Sequence, residues 1–139
     1  INGDLLSPEL LPDTFLDLVL SRHPGKSIFR LESGQVFAKQ ALPELFVHGR
    51  LQVFGAVRDS KLIAMDLCMV GSNSLCTWNG GFLEEAAFFS PGTVLTAFGI
   101  RAAIETGCKD YDFLRGNEEY KTRWATGSHV VGEITLSRS

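Results

Sequence analysis

The sequence predicts a mixed α/β (α+β) domain: one mixed central sheet flanked by helices, in the order α-α-β-β-β-α-β-α-β. Three observations predict it. Apolar residues recur at near-helical spacing in two stretches before residue 50 and in a third after residue 90. Between them lie three β-rich segments separated only by short turns. The third helical stretch then leads into a short apolar strand, which predicts a crossover to a parallel neighbour.

The first helix opens at Pro8, carries Leu10, Leu11, Phe15, Leu18 and Val19 on one face, and stops at the breaker His23-Pro24-Gly25. A second helix is expected over 35–48, bent or split at Pro43 and stopped by Gly49. Strands follow over 51–57, 61–70 and 74–79, joined by turns at Asp59-Ser60 and Gly71-Ser72-Asn73. The second is apolar almost throughout, as a central strand covered on both faces would be. Residues 80–90 read as a functional loop. Ser90 is placed as the N-cap of a third helix, with Pro91 in its first turn and a stop at Gly107. A strand over 110–114, a short helix over 118–125 and an alternating last strand over 130–136 complete the order. No linker or repeat interrupts it, so residues 1–139 are expected to form a single domain.

A chain of 139 residues is long enough to build one core without staples. With 45% hydrophobic and 21% charged residues it has an ordinary globular composition, and no apolar run is long enough to span a membrane. Net charge is −3, and only Lys109, Arg115, Lys121 and Arg123 approach a basic cluster, so DNA binding is not expected. Cys68, Cys76 and Cys108 are odd in number and lack C-x-x-C spacing. Neither zinc nor a disulfide framework is expected, and a reducing, cytoplasmic setting is the simpler reading. His23, His48 and His129 are scattered, so no metal site is predicted. The start, Ile1 to Asp4, shows no basic segment followed by an apolar one, and no secretory leader is expected there.

Four groups of residues have chemical potential. Ser90-Pro91-Gly92-Thr93 opens a helix whose unpaired amides and dipole attract anions, although an ordinary N-cap reads the same way. Asp112 lies among apolar neighbours; if buried it needs a partner, and Arg115 and Lys121 are near. Tyr120 and Lys121 follow on the next helix, a proton donor and a cation close to the same strand end. Asp66 is a lone acid in an apolar run, expected opposite Trp78 with Cys68 opposite Cys76; a structural role is preferred over that of a base. Trp78, Phe82, Phe88 and Phe89 either close the core or line a pocket. A switch from antiparallel to parallel pairing beside a helix N-terminus would suit a ligand with a phosphate end and an extended arm.

The stretch Ser90-Pro91-Gly92, then Gly107, Asp110-Tyr111-Asp112-Phe113-Leu114-Arg115-Gly116, Tyr120-Lys121 and Trp124-Ala125 resembles the GNAT superfamily. In particular it is similar to the acetyltransferase branch associated with cellulose biosynthesis, itself related to Fem-type aminoacyltransferases. The resemblance implies a GNAT fold and transfer of an acyl group, acetyl first of all, from acyl-CoA to a small-molecule or peptide amine. It implies that the backbone of Thr77, Trp78, Asn79 and Gly80 holds the pantetheine arm and that Ser90, Gly92 and Thr93 hold the diphosphate. It also implies that Lys121 stabilises developing charge, Tyr120 protonates sulfur, and Asp112 orients Lys121 or Arg115. The family's Q/R-x-x-G-x-G/A loop is represented by residues 87–92, which keep the last glycine but not the first or the leading residue. Aminoacyl-tRNA as donor and a silent GNAT-like binding domain are the alternatives. Relatives of this branch often carry two such halves, so the chain reads as a fragment, a reduced family member or, in preference, a protomer that supplies the missing half as a homodimer.

Overall fold

A computed structural model describes residues 6–22, 25 and 27–138. The breaker at His23-Pro24 and the start at Ile1 to Asp4 lie outside the described residues. Helix α1 (Leu11–Arg22) follows a turn over Ser7 to Leu10, so Pro8 precedes the helix instead of opening it. A 3₁₀ turn at Ile28–Arg30 leads into α2 (Glu32–Val47), which starts three residues earlier than expected and runs through Pro43 unsplit. One missing N–H removes one hydrogen bond, and burial of Ala38 and Leu42 on the same helix offsets that loss. Gly49 ends the segment at a φ of +66°, open to glycine at little cost.

Strands β1 (Leu51–Arg58), β2 (Lys61–Val70) and β3 (Ser74–Phe82) form an antiparallel meander, and β4 (Asp110–Asp112) adds to β3 in parallel, giving the order β1-β2-β3-β4. Asp59 and Ser60 both hold positive φ, as a two-residue turn matched to strand twist demands. The β2–β3 register differs from the expected one. Asp66 faces Gly80, Cys68 faces Thr77 and Met69 faces Cys76. The hairpin closes at Val70 opposite Leu75, one residue away from the assumed closure, and a bulge skips Trp78 and adds a second shift. The stretch 80–90 is likewise not a loop throughout: β3 continues to Phe82, and a 3₁₀ turn spans Glu84–Phe89.

Helix α3 (Pro91–Glu105) then crosses back, stopped by Gly107 at φ +74°, and α4 (Glu119–Trp124) follows β4. The expected last strand over 130–136 does not form. Val130, Val131, Ile134 and Leu136 are exposed, so the alternating pattern there finds no sheet edge to bury against.

The sheet is covered on both faces. On one, α1 and α2 bury Leu11, Phe15, Val19, Phe29 and Leu42 against Met65 and Leu67. Phe15 stacks with Trp78 at 6.2 Å and meets Phe29 edge-on at 5.0 Å. On the other, Ala103 of α3 packs with Cys68 and Leu75, joined by Phe54 and Tyr111. Gly81 fixes the approach of α1: a Cβ there would overlap the backbone of Leu18 and Val19. Among the described residues no helix is long and apolar enough to cross a membrane.

Candidate active site

Strand β4 pairs with β3 only over Ser74 to Cys76. Beyond that point the two chains part. β3 runs on to Phe82 bonded to β2 alone, while the other chain turns away through Leu114 (φ +57°) and Gly116 (φ +121°). Leu114 tolerates its left-handed backbone because Asp112 Oδ1 accepts its N–H at 2.7 Å. The result is a cleft of about 750 Å³, with the N-terminus of α3 in its wall.

Nine of the eleven sequence-predicted site residues line this cleft: Thr77, Trp78, Asn79 and Gly80 along the parted strand, Ser90, Gly92 and Thr93 at the start of α3, and Arg115 and Tyr120 opposite. Two do not. Asp112 is exposed and spends its carboxylate on the Leu114 turn, so the expected pairing with Arg115 or Lys121 is absent. Lys121 is buried behind the wall, donating to the Arg115 carbonyl at 2.8 Å and pairing with Glu118 at 2.9 Å. That contact holds the Glu118 carboxyl below its ordinary range, and it pins the segment from Arg115 to Glu118 against α4.

The start of α3 is arranged differently from an ordinary cap. Ser90 adopts a left-handed backbone and its hydroxyl makes no capping bond, whereas an N-cap residue is usually extended. Its carbonyl instead accepts from Thr93 and Val94. The Gly92 N–H finds no acceptor among the described residues, and a Cβ on Gly92 would meet nothing within 4 Å. With no acid in the first turn, the positive end of the helix faces open space. These are the properties of an anion seat.

The bulge turns the Asn79-Gly80 backbone at the parted edge: the Gly80 N–H bonds to Asn79 Oδ1 at 2.9 Å. A Cβ on Gly80 would stand 2.6 Å from the Met65 carbonyl and 3.0 Å from Asp66 Oδ1, so only glycine fits beside that carboxylate.

On sequence alone Asp66 reads as structural in preference to a base. It lines the cleft and takes hydrogen bonds from Thr77 Oγ1 at 3.0 and 3.2 Å. Burial raises its carboxyl to about 6, with the Thr77 hydrogen bond as the largest opposing influence. Its neighbours are poor acids: burial and the Asp66 charge push the Cys68 thiol up to about 12, and burial raises the Tyr111 hydroxyl further still. Desolvation also raises Tyr120, so its phenol keeps its proton at neutral pH. Phe113 stands edge-on to Tyr120 at 6.1 Å and to Tyr111 at 5.2 Å, closing the apolar side of the wall. Arg22, at the end of α1, also reaches the cleft, its guanidinium 5.0 Å from the Phe82 ring centroid. Nothing in its sequence context marks it as a site residue.

A shallower hollow of about 550 Å³ lies between α1 and α2, where Lys39 pairs with Asp13 and His48 Nδ1 lies 3.7 Å from the Glu44 carboxylate. Among the described residues no cluster of three or more His, Cys, Asp or Glu is placed to hold a metal.

Solved structures share this fold. A putative acetyltransferase from Agrobacterium tumefaciens str. C58 superposes with a TM-score of 0.66 at 19% identity, covering 94% of this chain and 96% of its own. The PaiA N-acetyltransferase from Thermoplasma acidophilum, in complex with coenzyme A, gives 0.61 at 19% identity over 74% and 71%. An aminoglycoside acetyltransferase, meta-AAC0020, from an uncultured soil metagenomic sample gives 0.60 at 15% identity over 96% and 93%. At these identities the likeness is one of fold. A search of curated protein sequences finds no match. The family model described as "Acetyltransferase (GNAT) domain" matches residues 7–122, and the chain belongs to that family.

Proposed function

We propose that this chain is an N-acyltransferase that moves an acyl group, acetyl in the first instance, from acyl-CoA to an amine acceptor by direct attack. The observation that carries the reading is the parting of β3 from β4. It joins an anion seat at Gly92, an unpaired strand edge over 77–82 and a carboxylate with a near-neutral pKa in one cleft. The diphosphate takes the amides at the start of α3, and the amide-rich pantetheine arm continues the sheet along the open edge of β3.

The bookkeeping of protons assigns the side chains. The acceptor arrives as an ammonium, and Asp66 takes its first proton, directly or through a water. The nitrogen lone pair then forms the C–N bond as the C–S bond breaks. Tyr120 gives its proton to the departing sulfur and recovers one from the newly acylated nitrogen. Asp66 later releases its proton to solvent. Lys121 is a positioning residue, since it holds the Arg115–Glu118 wall on which Tyr120 is mounted.

Titration calorimetry with acetyl-CoA tests the donor. The seat can be blocked without disturbing the fold, because Gly92→Asp enters open space. An acid in the first helical turn is itself stabilising by about 0.3–1 kcal/mol. The variant is expected to melt no lower than wild type yet to bind acetyl-CoA at least tenfold more weakly. Equal affinity in the two proteins would remove the diphosphate from this seat.

A further inference from the structure

Four charged side chains line the cleft: Arg22, Asp66, Arg115 and Glu118. Glu118 is neutralised by Lys121. Neither Arg22 nor Arg115 has a carboxylate within ion-pair distance among the described residues, although Arg58, Arg101 and Arg123 each have one. The cleft therefore presents two uncompensated guanidinium groups against one carboxylate. A plain amine would satisfy Asp66 and itself bring no counter-charge to either cation.

Arg22 is the better placed of the two to read an acceptor. It follows Leu18 and Val19 on α1, which lie flat against Gly81 of β3, whereas α3 and its anion seat belong to the opposite face of the sheet. The helix that carries Arg22 thus packs on the face away from α3, while its guanidinium reaches the shared cleft. Its guanidinium carbon lies 5.0 Å over the Phe82 ring centroid, a cation–π contact that spends none of the N–H donors at the guanidinium edge. That edge is a rigid fork of N–H donors matched to a carboxylate. It lines the same cleft as Asp66 and Tyr120, and its charge bears on both.

We propose that the acceptor is an amino acid, an amine that also bears a free carboxylate, and that Arg22 is the side chain that selects it. The proposal rests on the acyl-transfer reading of the same cleft. Asp66 meets the ammonium, and Arg22 binds the carboxylate through paired N–H donors. Removing either charge from the acceptor leaves a cleft charge unmatched, which penalises polyamines and amidated amino acids alike.

Release of CoA from acetyl-CoA, measured with free amino acids, their C-terminal amides and simple diamines, tests this. The amino acids are expected to have kcat/KM values roughly 10- to 100-fold above those of their amides, the range a charge-assisted hydrogen-bonded pair supports. In Arg22→Gln that preference should collapse towards one through a rise in acceptor KM, with the KM for acetyl-CoA unchanged. Arg22→Lys, which keeps charge but loses the fork, should recover part of it. Amides that react as well as amino acids in wild type would overturn the proposal while leaving acyl transfer intact. So would an Arg22→Gln protein whose acetyl-CoA KM rises instead, which would assign Arg22 to the donor. A folded protein that neither binds acetyl-CoA nor releases CoA with any amine would overturn both readings together.

Discussion

A half-buried carboxylate beside Gly80 and Thr77 is costly to keep ionised, and Asp66 shows what that cost is for. Burial lifts its pKa from 3.8 to about 6. Between about pH 4 and 6 the folded protein therefore holds a proton that the unfolded chain has released. Stability falls across that window and stays lower above it, by an amount on the order of 3 kcal/mol. Asp66→Asn keeps an acceptor for the Thr77 hydroxyl but never ionises. Its stability relative to wild type should be about 2 kcal/mol more favourable at pH 8 than at pH 4.5, as chemical denaturation at the two pH values will show. Catalysis should move the other way. Wild-type kcat/KM is expected to climb with pH through about 6; in the variant that limb disappears and the rate drops 10²- to 10⁴-fold. A variant with an unaltered rate and profile would relieve Asp66 of its role as base. The sequence exposed this residue as a lone acid in an apolar run, but not its surroundings: Thr77 is eleven positions away and is brought to it only by the β2–β3 register.

At the level of elements, pattern was a good guide where one face decides and a poor one where a single residue does. The helices α1, α2 and α3 were legible because each repeats a burial period over several turns, and the three meander strands because β-rich runs there are set off by short turns. The bulge at Trp78 was not, since nothing in Cys76-Thr77-Trp78-Asn79 changes the alternation before the strand is paired. The tail over 130–136 failed for the opposite reason: it has the period of a strand and no partner. Side chains at the cleft divide in the same way. Ser90 to Thr93 could be placed from helix position alone, whereas the orientation of Lys121, towards the Arg115 carbonyl and Glu118, depends on how α4 sits. The tightest inter-element fit is α1 on β3 at Gly81, where any Cβ collides with backbone at Leu18. Backbone cannot swing aside as a side chain can, so Gly81→Ala should destabilise by about 3 kcal/mol, near the top of the range for overpacking. A melting temperature within a degree or two of wild type would mean that α1 is free to lift from the sheet.

Across the whole molecule, the sheet has one weak seam. β1, β2 and β3 are laddered along most of their length, but β4, carrying the Arg115–Tyr120 wall beyond it, joins β3 only over Ser74 to Cys76. The opening is needed for the site, because a fully zipped β3–β4 pair would leave no strand edge for an extended arm and no path between Gly92 and Asp66. A ligand lying in the gap would therefore substitute for the missing ladder. Its binding energy is added to the folded state alone, as RT ln(1 + [L]/Kd). At a hundredfold excess over Kd that is about 2.7 kcal/mol, and for a domain of this size it corresponds to a rise in Tm of about 8 °C. Thermal melts across an acetyl-CoA titration should show this rise, growing with the logarithm of concentration. Desulfo-CoA, which keeps the diphosphate and most of the arm, should reproduce much of it, while inorganic pyrophosphate, which fills only the seat at Gly92, should give a small fraction. Should pyrophosphate alone give the full shift, the stabilisation would belong to the helix terminus and the open edge of β3 would have no part in holding the donor.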